Sequence, residues 1–238
     1  MSHSQNSLLA SLSSEDLSLI LPHLKTVHVE QHQVLFDAGS EVRCSYFPLT
    51  AVVSLVMGLQ DGETVETAMV GCDGVVAASS ALDGKTSLSK GIVQLAGDVM
   101  VCHANSLKAA AMQSDRILSI LIRHEQTLFA QAQQSAACIA NHNVEARLCR
   151  WLLRARDLAR SDTLLFTQEY LAQMLGASRP TVTTVAHTLQ RAGMIQYSRG
   201  KITILNVEAV QQAACECYEA IKTHHQQLLG HNHRPSSS

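Results

Sequence analysis

The chain has 238 residues, a formal net charge of −2, and 46 % apolar, 16 % charged and 4 % aromatic residues. This supplies an aliphatic, alanine-rich core for one large domain or two small ones and excludes wholesale disorder. No apolar run nears the ~20 residues that cross a bilayer, no basic-then-apolar leader opens the chain, and seven irregularly spaced cysteines fit reduced thiols; the expectation is a cytoplasmic protein with no membrane partner.

Leu8–Leu24 carries apolar residues at helical spacing, and Ser13-Ser14-Glu15-Asp16 reads as a helix start with an acidic first turn. One or two short helices are expected. From Thr26 to Val101 the period becomes that of strands. Thr26–Val29, Val34–Phe36, Val52–Met57, Val65–Val70, Ile92–Leu95 and Val99–Cys102 are separated by turn signals, among them Gln60-Asp61-Gly62-Glu63. Short strands at this spacing predict a small antiparallel barrel or jelly roll. Between Ser106 and Leu158 there is neither proline nor glycine. Ile117, Ile120, Leu121, Leu128, Ala132, Ala136 and Ile139 form a stripe on a helix of ~25 residues, about 37 Å long. A helix of that length with a narrow seam is expected to pack against a second copy through Ile117, Leu121, Leu128 and Ala132. Asn143 is placed to cap a further helix, whose Arg147, Arg150, Arg154 and Arg156 are expected on its polar side.

Charge is unevenly distributed. Residues 1–141 are net −6, whereas residues 142–205 carry nine Lys/Arg against four Asp/Glu. A compact basic segment beside an acidic one suits a polyanion partner. Within it, Thr167-Gln168-Glu169-Tyr170 reads as a cap and first turn, Gly176 as a helix end, and Ser178 with Pro180 as the start of another helix. Two short helices joined by a glycine turn form a helix-turn-helix. The second would expose Ser178, Arg179, Thr181, Thr184 and His187, side chains that suit a major groove. Two strands joined by Ser198-Arg199-Gly200-Lys201 follow, a wing whose tip presents Arg199 and Lys201 to phosphates. Thr167 and the helix N-termini are expected to supply further phosphate contacts.

The run from Thr167 to Val182, with Gly176-Ala177-Ser178-Arg179-Pro180-Thr181-Val182 opening the second helix, and Arg191-Ala192-Gly193-Met194-Ile195 after it, resemble the Crp–Fnr family of bacterial transcription regulators. The likeness covers roughly residues 8–220. It implies an α+β chain: a cyclic-nucleotide-binding-like jelly-roll barrel over 1–113, a dimerisation helix over 114–141, a winged helix-turn-helix over 142–222 and a disordered tail over 223–238. It further implies a homodimeric regulator on double-stranded, partly palindromic DNA, with RNA polymerase as a partner, no enzymatic activity and a signal entering through the barrel. The effector cassette maps to Gly71, Asp73, Gly74 and Val75, with Ser89 and Lys90 downstream. The family's phosphate-gripping arginine is missing, and an ammonium does not reproduce its bidentate grip, so cyclic AMP is not expected. The clustered cysteines of iron–sulfur members are also absent. The effector is left unknown, and an effector-independent regulator or, in another class, a metal-dependent barrel enzyme are the alternatives.

No metal site is read. His28 and His32, four apart on an expected strand, read as surface histidines. Cys215-x-Cys217, in an expected helical run over 207–221, reads as packing, as do Cys138 and Cys149. Cys72, beside Asp73, is the thiol to test first for reactivity. His224, His225, His231 and His233 fall in the expected tail.

Overall fold

The computed structural model describes residues 2–60 and 64–230. Two antiparallel sheets face each other in the N-terminal half. One has the order β1-β7-β3, from β1 (Lys25–Val29), β7 (Gly97–His103) and β3 (Cys44–Pro48). The other runs β2-β6-β4-β5, from β2 (Val34–Phe36), β6 (Lys90–Leu95), β4 (Val52–Gly58) and β5 (Thr64–Val70). The facing sides of the two sheets enclose a valine-rich cluster of Val53, Val70, Val76, Val93 and Val99. The α+β architecture and the jelly-roll barrel are as the sequence predicts. Of the hairpin signal at 60–63, residues 61–63 lie outside the described residues.

Two short helices, α1 (Ser7–Ala10) and α2 (Ser14–Ile20), close the barrel's end. Buried Asn6 caps α1 and donates its amide to the carbonyls of Pro48 and Gly74 at 2.9 and 2.8 Å, pinning the N-terminal segment to the barrel. α3 (Ala104–Gln113) leads into α4 (Asp115–Asn141), 27 residues long and capped by Ser114. Its most apolar side is spent within the chain. Ile117 and Leu121 are 1 % exposed and pack with Leu107 and Phe47, and Leu128 packs with the barrel valines. The expected seam through these residues is therefore corrected. Burial against the barrel claims the strongest hydrophobes, and Ala132 is half-buried beside them. The outward face is a different stripe, Ile122, Gln126, Phe129, Gln133, Ala136 and Ala140, all exposed and alternately four and three apart.

Asn143 caps α5 (Val144–Ala159) as expected. α6 (Gln168–Leu175), α7 (Arg179–Arg191) and the sheet β8-β10-β9 follow, from β8 (Thr163–Leu165), β10 (Lys201–Ile204) and β9 (Ile195–Ser198). β8 went unread in the sequence because three residues carry too little periodicity. The C-terminal core is continuous with the barrel: Val52, Val56 and Met69 join Leu148, Trp151, Leu152, Leu171 and Ile202 in one cluster.

Three further expectations are corrected. The helical run over 207–221 is two helices, α8 (Val207–Ala213) and α9 (Cys217–Leu229). The break turns Cys215 and Cys217 toward the same cluster as Cys138. The tail expected from 223 is helical to Leu229, and His225 reaches the Asp73 carbonyl at 3.1 Å; residues 231–238 lie outside the described residues. His32 is in a turn at φ 67, edge-on to Tyr170, and not on a strand with His28.

Candidate nucleic-acid interface

α6 and α7 meet at the expected turn. Thr167 caps α6, accepting from the Tyr170 amide at 3.2 Å. Gly176 ends it at φ +56, a conformation that a side chain strains. Ser178 then caps α7, accepting from the Thr181 amide at 3.3 Å, with the two hydroxyls 2.7 Å apart. Thr183 donates to the Gln168 side chain at 2.7 Å, fixing one helix against the other.

α7 buries Val182, Ala186 and Leu189. It exposes Arg179, Pro180, Thr181, Thr184, His187, Thr188 and Arg191. Thr184 and Thr188 donate to carbonyls one turn back, at 3.0 and 3.1 Å, leaving an acceptor and a methyl free on each. β9 and β10 are joined by Arg199 at φ 49 and Gly200 at φ 77, a type I′ hairpin. Gln190 accepts from the Tyr197 amide at 2.8 Å, tying the wing to the end of α7. Among the described residues, Arg179, Arg191, Arg199 and Lys201 pair with no carboxylate. All seven expected DNA contacts, Thr167, Ser178, Arg179, Thr181, Thr184, Arg199 and Lys201, are exposed, although the hydroxyls of Thr167 and Ser178 are spent on caps.

Three of the four α5 arginines are not on the polar side expected of them, whereas Arg156 is partly exposed and pairs with Asp162 at 2.6 Å. Arg147, Arg150 and Arg154 are all under a tenth exposed. Arg147 donates to the Leu175 carbonyl at 2.7 Å, satisfying the end of α6. Arg154 pairs with Asp73 at 2.7 Å, and His225 lies 3.4 Å from the same carboxylate. Burial by itself would raise the Asp73 carboxyl; Arg154 and then His225 outweigh it and hold it down at about 2. A third of the segment's nine basic residues are thus structural, which composition could not reveal.

The expected effector residues are scattered. A Cβ at Gly71 would lie 2.7 Å from Leu158, and one at Gly74 would lie 2.3 Å from the His124 ring. The 71–75 loop is therefore filled by α4 and α5. The Val75 amide donates to His124 at 3.1 Å, and burial pulls that imidazole down to about 4. Lys90 pairs with Asp37 at 3.5 Å. Ser89 alone of the six lines the barrel cavity of about 410 Å³, with Phe36, Ser87, Leu128, Phe129 and Glu125. Among the described residues no lysine or arginine lines it, and Glu125 accepts there from the Ser79 amide at 2.9 Å. Cys72 is buried and donates to the Leu158 carbonyl; burial pushes its thiol up, opposite to a reactive cysteine.

Residues 146–213 match the Crp-like helix-turn-helix domain. A global nitrogen regulator of Synechocystis sp. is 21 % identical over 193 residues, 77 % of this chain and 85 % of that protein. The structure of FixK2 from Bradyrhizobium japonicum is similar at a TM-score of 0.69 and 16 % identity, over 81 % of this chain and 98 % of that one. A CRP-family transcriptional regulator from Thermus thermophilus gives a TM-score of 0.67 at 20 % identity, covering 79 % and 96 %. Among the described residues no helix is long and apolar enough to cross a membrane.

Proposed function

We propose, for a chain that belongs with the Crp–Fnr regulators by its Crp-like helix-turn-helix domain and its fold, that it acts as a homodimer on a partly palindromic DNA site and is not an enzyme. The observation that carries the reading is the exposed face of α7 followed by the wing, with Arg179, Arg199 and Lys201 exposed and, among the described residues, paired with no carboxylate. α4 supplies the seam through Ile122, Phe129 and Ala136, seven apart, interleaved with Gln126, Gln133 and Ala140. A two-fold through that face presents two α7 helices to successive major grooves, ~34 Å apart. RNA polymerase is the further partner, and the cytoplasm the compartment.

Phe129 and Leu128 line the barrel cavity and lie on α4. A molecule seated there shifts the seam directly, and through it the spacing of the two DNA heads. The cationless, carboxylate-bearing lining favours an uncharged or cationic effector over a cyclic phosphate. A second reading, a regulator needing no effector, is favoured by the filled 71–75 loop.

The test is affinity on DNA selected from a random pool, against a scrambled duplex, at several salt concentrations. Arg179 stands in the first turn, where side chains reach base edges, and its fork suits guanine O6 and N7. Arg179→Ala is expected to cost ~1–3 kcal/mol on the selected site and little on scrambled DNA. Arg199→Ala, on a hairpin tip, is expected to weaken both alike and lower the salt slope by ~1. Equal losses on both duplexes for Arg179→Ala would leave Thr181 and Thr184 to carry specificity. No selected sequence at all would overturn the regulator reading.

A further inference from the structure

We propose that Cys138, His142, Cys215 and Cys217 form a Cys3His site for one structural zinc ion, at the hinge between the long helix α4 and the DNA-reading domain. The three sulfurs and one ring nitrogen all lie within 4.8 Å of one another. Cys138 Sγ and Cys215 Sγ are 3.5 Å apart, and Cys217 Sγ is 3.7 Å from His142 Nδ1. A zinc tetrahedron with Zn–S near 2.3 Å and Zn–N near 2.0 Å has edges of roughly 3.5–3.8 Å. The donor atoms need only close slightly to reach it.

The set is assembled from segments distant in sequence. Cys138 is on the last turns of α4, and His142 is the residue that caps it. Cys215 stands in the break between α8 and α9, and Cys217 opens α9. Four such side chains need not meet for packing. The three cysteines form a small cluster of their own, against which only Ala146 packs among the described, partly buried apolar residues. A patch filled for hydrophobic reasons alone would hold aliphatic neighbours.

Outer contacts are those of a ligand set. His142 Nε2 lies 3.2 Å from the Glu216 carboxylate, which orients the ring and leaves Nδ1 turned to the sulfurs. Gln134 donates to Cys217 Sγ at 3.0 Å, a bond that strengthens when the sulfur is a thiolate. Three thiolates and one imidazole are soft donors that select zinc over magnesium or calcium. The cysteines are buried, at 0, 7 and 1 % exposure, so four protein ligands close the shell and leave no open position for catalysis. Zinc displaces the thiol protons on binding, leaving a site of net charge −1. It would staple α9 to α4 and set the angle at which α5 leaves the seam.

The decisive measurement is metal content of the full chain, purified under reducing, anaerobic conditions and supplied with zinc. One zinc per chain is expected to survive gel filtration. Cobalt(II) in its place is expected to give the intense visible bands of tetrahedral coordination with thiolate-to-cobalt charge transfer. Cys217→Ser and His142→Ala are expected to lower the metal content and change the cobalt spectrum, while Cys72→Ser leaves both unchanged. Stripping the metal with a mercurial and chelator is expected to lower the melting temperature by several degrees. Wild-type protein that takes up neither zinc nor cobalt, a cobalt spectrum unchanged in Cys217→Ser, or a Cys138–Cys215 disulfide recovered from the anaerobic preparation would each overturn the site. The wild-type cobalt spectrum decides the matter even if a variant fails to fold.

Discussion

Glu66 stands where the barrel meets the DNA-reading domain. It accepts from Trp151 Nε1 at 2.9 Å, from Gln94 at 3.0 Å and from the Ser54 hydroxyl. Part of the residue reaches solvent, but its carboxyl end is enclosed, and burial pushes it up to about 7, against the hydrogen bonds and the Arg150 charge. Below pH 4.5 the carboxyl is protonated in both states. Between 4.5 and 7 the unfolded chain ionises first, so folding loses stability as pH rises, by on the order of 3 kcal/mol in all. His124, held near 4 by burial, works in the opposite sense, since it costs stability as pH falls below 6.5. Comparison with Glu66→Gln isolates the carboxylate. The variant is expected to keep most of its stability between pH 5 and pH 8 in urea melts, where the parent loses some. Parallel pH profiles would show that Glu66 is ionised throughout.

At the scale of elements, α4 carries two apolar faces, and a stripe in the sequence does not say which one is for the chain itself. The more hydrophobic face, Ile117, Leu121 and Leu128, was the legible one, and it is the barrel's. The outer face dilutes Ile122 and Phe129 with glutamines and alanines. Ile122→Glu with Phe129→Glu is therefore expected to leave a folded monomer, each charge costing the dimer several kcal/mol as a buried unpaired ion. Leu121→Asp is expected instead to destabilise the fold, since it places a carboxylate in the chain's own core. Sedimentation with far-UV circular dichroism separates these. A dimer that survives both glutamates would move the seam off α4. The helix-turn-helix was readable almost residue by residue because its signals are local: caps at Thr167 and Ser178, the left-handed Gly176, the Arg199-Gly200 turn. The zinc ligands were not, because Cys138 and Cys215 are brought together only by the packing of α9 on α4.

At the scale of the molecule, the same distinction separates what was legible from what was not. Each half announces its own class, but nothing in the chain order announces that the halves share a core. Val52, Val56 and Met69 of the barrel pack with Trp151 and Leu152 of α5, and the Arg154–Asp73 pair and the Gln31 bond to the Leu165 carbonyl at 2.7 Å cross the same boundary. Two domains joined by a bare linker unfold separately, whereas a shared apolar cluster makes opening one expose the other. One cooperative transition is the expected outcome. Trp151 is the chain's sole tryptophan, 1 % exposed and edge-on to Phe166 at 4.7 Å, so its fluorescence reports the junction. Far-UV circular dichroism reports strands and helices together. At fixed protein concentration the two melts are expected to coincide, and Arg154→Met, which strands the Asp73 carboxylate beside His225, is expected to shift both downward by the same amount. A tryptophan transition preceding the circular-dichroism one would mean that the DNA head undocks before the barrel melts, and that the shared core contributes less than its packing implies.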